Sequence, residues 1–308
     1  MTNDFEKLCG WIDDPASALM AQESFDIQAV SFYNDIAGDG AGKVILLHKI
    51  YEQVTGTSFP VWMQAIGDCV SFGFALGVNV LMAMQKSFDD TQEFITDTAT
   101  EPIYGGSRVE IANNGVPRSI LSHDGSTGIW AAQWIKQFGI LLRQVYDTVD
   151  LSAYSGPRAK NWGQQGVPDF LEPIARLHPV QNYALVTSYE EARDAIANGY
   201  PVVVASNRGF RNQRDAEGFA APYGTWSHCM CFVAVDDAAD RKGLLCCNSW
   251  GNDWIDGPKR HDQPDGSFWV DAAVADDMLK DRDSYALSNF VGFQRQNVTQ
   301  LMQKFNLL

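Results

Sequence analysis

Basic side chains are scarce in this chain: 23 Lys plus Arg stand against 38 Asp plus Glu, a formal net charge of −15. So acidic a surface lacks the cationic footprint that a phosphate backbone or an anionic membrane face requires, so neither nucleic acid nor membrane is an expected partner. Cysteines are also few. Six in 308 residues are too sparse for a disulfide scaffold, and neither adjacent Cys246 and Cys247 nor Cys229 and Cys231, two apart, have a stapling pattern. The expectation is a reduced, intracellular-type protein. Long apolar runs are missing too. The longest, from Cys69 to Met84, is interrupted by Ser71, glycines and Asn79, short of the about 20 apolar residues of a bilayer span; it reads as a buried helix. The first six residues lack the cationic start and apolar stretch of a secretion signal. No fixed-period repeat and no low-complexity tract stands out.

What is present is an ordinary globular composition, 45% apolar, enough to offset the entropy of ordering. Three segments are expected. Residues 1–57 form an acidic N-terminal extension with helical patches, best at 43–53. Residues 58–187 form a helical lobe, opened by the break at Ser58-Phe59-Pro60 and containing helices from Cys69 and over 128–138, the second ended by Gly139. Residues 188–308 form a strand-rich lobe. It starts with a capping box, Ser188 and Glu191, opening a helix that stops at Gly199. Strands follow at 201–205, 226–235, 244–250 and 268–270, with a polar, solvated loop carrying Arg208, Arg211 and Arg214 between the first two. Helices first and strands second make an α+β arrangement of two lobes.

Three short segments carry chemistry together. In Gln64-Ala65-Ile66-Gly67-Asp68-Cys69, a cysteine opens an apolar helix, where the helix dipole favours a thiolate. Asp68 is placed to cap that helix, although its charge opposes the thiolate, so a cationic histidine partner is needed. Gln64 can aim its amide at an oxyanion beside the Cys69 N–H. The second segment is Trp226-Ser227-His228-Cys229, and the third is Cys247-Asn248-Ser249-Trp250-Gly251. If strands 226–235 and 244–250 form a hairpin through the 236–243 linker, His228 and Asn248 become near cross-strand neighbours. The Asn248 amide then orients the His228 ring, with Trp250 shielding the pair from water.

A glutamine, a helix-opening cysteine, a histidine and an asparagine in Asn-Ser-Trp-Gly, in that order, resemble the papain-like cysteine peptidases. The resemblance covers about residues 58–271 and is similar in style to bacterial and phage members. It implies a papain-like two-lobed fold, a helical lobe followed by an antiparallel β-sheet lobe. It also implies that Cys69 is the nucleophile, His228 its acid–base partner, Asn248 the orienter and Gln64 an oxyanion donor. Asp124-Gly125-Ser126 is similar to the family's substrate-backbone loop, which puts Gly125 and Ser126 along the cleft. A peptide or protein substrate is implied, with no cofactor and no metal. Some features depart from the family pattern: the spacing between Gln64 and Cys69 is one residue short, residues 254–267 form a polar insertion expected to cover or extend the cleft, and the extension has no recognisable inhibitory segment.

Rival readings have less behind them. A phage structural or assembly protein that keeps this fold with little turnover would have phage structural proteins as partners and a virion rather than cytoplasmic location. A transferase or a cell-wall amidase would use the same nucleophile. His228 with Cys229, Cys231, Cys246 and Cys247 lacks metal-ligand spacing, since strand alternation sends Cys229 and Cys231 to the face opposite His228. Gly38-Asp39-Gly40-Ala41-Gly42-Lys43-Val44 misses the phosphate-loop pattern at both ends.

Overall fold

The computed structural model describes residues 4–16, 36–89, 96–112, 123–290 and 292–307. Residues 17–35 of the expected extension lie outside that set. Among the described residues a short 3-10 helix (Asp4–Leu8) comes first, and strand β1 (Val44–Leu46) runs directly into helix α1 (Leu47–Thr55). The helical lobe follows: α2 (Cys69–Phe88), α3 (Thr100–Gly106), α4 (Gly128–Gln137), the short pair β2 (Val145–Tyr146) and β3 (Val149–Asp150), α5 (Gly156–Gln165) and α6 (Glu172–Ala175). The second lobe contains β4 (Asn182–Leu185), α7 (Tyr189–Ala197), β5 (Val202–Arg214), β6 (Ala220–Asp236), β7 (Gly243–Cys247), β8 (Ser267–Asp271), α8 (Ala272–Leu279) and β9 (Tyr285–Ser288). A last helix, α9 (Val298–Lys304), closes the chain.

α2 is apolar nearly all round, and such a helix is stable in water only when enclosed. Its first turns are buried from Cys69 to Leu81, packed against β5, β6, α1 and α3. By length and composition it would suffice to cross a membrane, but here it is a core helix. The polar Asn79 within it is satisfied: its Nδ2 donates to Asp97 Oδ1 at 2.8 Å and its Oδ1 accepts from Thr98 N at 2.9 Å. α7 carries the cap expected from the sequence, and α4 has a further one in Thr127. Thr127 Oγ1 accepts from Trp130 N, and Ser188 Oγ accepts from Glu191 N. The Glu191 carboxylate returns to Thr187 N at 2.6 Å, one residue before the cap.

The sheet has the order β4-β9-β5-β6-β7-β8, with β1 added along β6, and every pairing is antiparallel. It therefore puts the β6–β7 hairpin, which carries the His and Asn segments, directly against α2.

Two expectations fail here. The arginine-rich stretch is strand, not loop: β5 continues to Arg214, with Phe210 buried between the arginines. Arg214 itself is buried, its guanidinium donating to the carbonyls of Gly257, Pro258 and Ser267. Three carbonyl acceptors replace the water that a solvated loop would have supplied. The charged part of the 254–267 insertion also lies away from the cleft, although Trp254 at its start packs on Trp250. Arg260 and His261 both bond Asp236, eight residues along β6 from His228, or about 26 Å at strand rise. The near-miss phosphate loop has its amides taken internally, Gly38 and Gly40 by Asp194 and Gly42 by Asp237.

Candidate functional site

Cys69 is the first residue of α2, fully buried at the junction of the lobes. Asp68 occupies the cap position, but its side chain does not cap. It accepts from the Tyr154 hydroxyl at 2.9 Å instead. Burial pushes Asp68 well above the usual carboxylate range, which weakens the opposition to a neighbouring thiolate expected from its charge. The Cys69 sulfur receives the backbone N–H groups of Cys229, the residue after His228, and of Gly10. The sulfur therefore lies against β6 beside the histidine.

His228 Nε2 and Asn248 Oδ1 are 2.8 Å apart. Ser249 N also donates to Asn248 Oδ1, at 2.7 Å, which fixes the amide orientation because only an oxygen can accept a backbone N–H. Nε2 therefore carries the proton, and the ring's lone pair is on Nδ1, which is buried without a hydrogen-bond partner. The two residues do not meet as simple cross-strand neighbours. Cys231 pairs with Cys247, so the register runs two residues off the expected one. The position opposite His228 then falls at Trp250, and Asn248 reaches the ring diagonally from beyond the end of β7. Trp250 lies over the imidazole, ring centroids 4.6 Å apart, with Phe5 stacked on the indole at 5.6 Å. Trp226 and Trp254 close the aromatic box around it.

Gln64 is buried on the other side of Cys69. Its Nε2 donates to Leu8 O at 2.7 Å and Ile66 O at 2.8 Å, and its Oε1 accepts from Ser249 Oγ at 2.6 Å. Gly125 and Ser126 form the loop that leads into α4. Arg108, buried, holds that loop by donating to the carbonyls of Gly125, His123 and Gly163, and Tyr104 accepts from Gly125 N.

What occupies the space between these groups is the N-terminal segment of the chain. Leu8 O accepts from Gln64. Gly10 O accepts from Ser126 N, Ile12 N donates to Ser126 O and Trp11 N donates to Ser227 O, each at 2.9 Å. The Trp11 indole donates to Asp283 Oδ2 at 2.8 Å. Residues 8–12 thus bond both lobes in turn. The approach is backbone on backbone, with Gly10 facing Gly67: a Cβ on Gly10 would sit 1.8 Å from the Gly67 carbonyl oxygen. The sequence has no recognisable inhibitory segment in the extension, yet residues 8–12 of that extension lie across these groups. The segment was invisible because it binds through main-chain groups of an irregular stretch, which leave no periodicity. Asp283 and Arg108 were missed as well, and nothing local marks either as a site residue. The facing glycines 10, 67 and 125 were the one available sign of close backbone contact.

Cys69 and His228 are both fully buried. Burial, and secondarily Cys9 alongside, pushes the Cys69 thiol up to about 12. Burial pulls His228 down to about 4, against the opposing hydrogen bond to Asn248. Both groups are therefore neutral at pH 7.

Similarity to known structures agrees with this geometry. Xylellain, a cysteine protease from Xylella fastidiosa, matches with a TM-score of 0.56 over 92% of this chain and 96% of that chain, at 15% identity. The chain has the papain-like fold. Digestive procathepsin L 3 of Tenebrio molitor matches at a TM-score of 0.47 and 12% identity, over 89% of this chain and 87% of that one. A structure of the mite allergens Blo t 1 and Der p 1 matches at 0.48 and 13%, over 90% and 85%. No protein-family model matches the sequence, and no curated protein matches it.

The burial of His228 carries a pH signature. An unfolded histidine takes its proton near 6.5, whereas folded His228 refuses it until about 4. Its contribution to stability is intact above pH 6.5 and is lost as pH falls through that window. Between pH 7 and pH 4 the parent should lose on the order of 3 kcal/mol more unfolding free energy than a His228→Gln chain. Denaturant titrations at both pH values check this; parallel losses in the two chains would refute it.

Proposed function

We propose that the chain is a papain-like thiol hydrolase of the bacterial type, a cysteine peptidase, held closed by its own residues 5–12. The observation that carries this is the His228 Nε2–Asn248 Oδ1 bond of 2.8 Å, which leaves the ring's Nδ1 without a hydrogen-bond partner, while the Cys69 sulfur lies against the backbone of the next residue, Cys229. When the segment lifts, water enters and the desolvation that separates the two titrations relaxes. Cys69 then passes its proton to Nδ1, and the imidazolium stays bonded to Asn248. The thiolate adds to a peptide carbonyl whose oxygen is held by Gln64 Nε2, the position now held by Leu8 O. Collapse of the tetrahedral adduct forms a thioester on Cys69 and expels the amine, protonated by His228. Neutral His228 then takes a proton from water, which attacks the thioester and regenerates the thiol. Trp250 keeps competing water from the His228–Asn248 bond.

An epoxide selective for cysteine peptidases should form an adduct on Cys69 and on none of the other five cysteines. Peptide mapping by mass spectrometry reads the position. A folded chain with its segment displaced and Cys69 still unlabelled would defeat the hydrolase reading.

A further inference from the structure

Within the covering segment, Trp11 has a charged partner from the opposite lobe. Its indole is 3% exposed, and Asp283 beneath it is 5% exposed. Asp283 Oδ2 accepts from Trp11 Nε1 at 2.8 Å and from Gly128 N at 2.6 Å, while Oδ1 accepts from Ile129 N at 2.8 Å. The Tyr285 hydroxyl also bonds this carboxyl group. Helix capping alone does not explain the arrangement. α4 has its own cap in Thr127, and Asp283 comes from the opposite lobe, just before β9. The main chain at Trp11 is fixed at the same point by Ser227 O and, through its two neighbours, by Ser126. Any peptide replacing the segment along that loop presents a side chain to the same carboxylate.

We propose that the Trp11 pocket is a selectivity pocket in which Asp283 chooses substrate side chains that carry an N–H donor, cationic arginine and lysine above all. The turnover part of this rests on the peptidase reading of the same site. A carboxylate covered by an aliphatic side chain loses the Trp11 donor with nothing in its place, and keeps only the Gly128 and Ile129 N–H groups and the Tyr285 hydroxyl. A guanidinium or ammonium supplies both a donor and the opposite charge. An indole supplies the donor alone, as Trp11 does. The expected substrate is therefore a peptide with arginine, lysine or tryptophan at one of the two positions on the acyl side of the cleaved bond, in place of leucine or valine.

The test uses the full chain carrying Gly10→Val and Trp11→Ala, which unseat the segment and empty the pocket. In one arm Cys69→Ala is added, and fluorescein-labelled hexapeptides that differ only in Arg, Trp or Leu at those positions are titrated by anisotropy. In the other arm Cys69 is kept and kcat/KM is measured for the same peptides as amides. Arg and Trp peptides should exceed Leu by about tenfold or more in binding and in kcat/KM. Asp283→Asn should remove the advantage of Arg while Trp, which the amide oxygen can still accept, keeps most of its own. If Asp283→Asn does not fold, the ranking on the Asp283 chain decides alone. A Leu peptide that matches Arg and Trp, a ranking unchanged by Asp283→Asn, or no binding by any peptide overturns the proposal. Ranked binding without turnover supports the pocket and overturns the peptidase reading instead.

Discussion

Gly10→Val should raise the hydrolysis of peptide amides by about 10- to 100-fold over the parent chain. A Cβ on residue 10 meets the Gly67 carbonyl oxygen at 1.8 Å, and both contacting groups are main chain, so no side-chain rotation relieves it. Overpacking of this kind costs about 1–3 kcal/mol, and each 1.4 kcal/mol shifts the ratio of open to covered molecules tenfold. The hold to be broken consists of the bond from Gln64 to Leu8 O, the three main-chain bonds at Ser126 and Ser227, the Trp11–Asp283 bond and the Phe5–Trp250 stack. Each contributes about 0.5–1.5 kcal/mol net, more where a charge is involved. Unseating the segment should leave the rest of the fold intact, which an unchanged thermal transition would verify. A well-folded Gly10→Val chain no faster than the parent would mean that the segment does not limit access to Cys69.

In that opened background, Cys69→Ala and His228→Ala should each lower kcat by about 10⁴-fold or more, and the double substitution should be no worse than either alone. Nucleophile and base act as one unit, so losing one removes what the other contributes. Asn248→Ala should cost less, about 10²-fold. The ring remains near the sulfur but loses the Oδ1 acceptor that keeps the proton on Nε2 and the lone pair on Nδ1. Steady-state rates on one peptide amide give all four values. If His228→Ala kept a tenth of the activity, the base would have to be another group.

The outline of the site was legible because its chemistry is local. A cysteine at the first position of an apolar helix, a capping box at Ser188, and histidine and asparagine on two arms of one hairpin each leave a short, readable signature. The hairpin register was legible only to within two residues. At the turn the ladder already runs three residues off, Asp236 pairing with Gly243, and the shift between Phe232 and Ala234 brings this to two; a bulge leaves no compositional mark when every nearby residue is apolar. Arg208 to Arg214 misled for a related reason: charge was taken as a sign of solvent, whereas Arg214 is buried against three carbonyls contributed from 43 to 53 residues away. The covering segment and Asp283 were the least accessible. Trp11 and Asp283 are 272 residues apart, and main-chain bonding at Gly10 is independent of side-chain identity except where a Cβ would collide.

The central claim is that Cys69 is a nucleophile activated by His228 once residues 5–12 move aside. The most direct measurement is the rate at which a cysteine-peptidase epoxide labels Cys69, followed by intact mass and peptide mapping in the parent, Gly10→Val, and Gly10→Val with His228→Ala. The expected result is slow labelling in the parent, labelling faster by tenfold or more in Gly10→Val, and its near loss when His228 is also removed. Equal labelling in all three chains, or an adduct on a different cysteine, would contradict it.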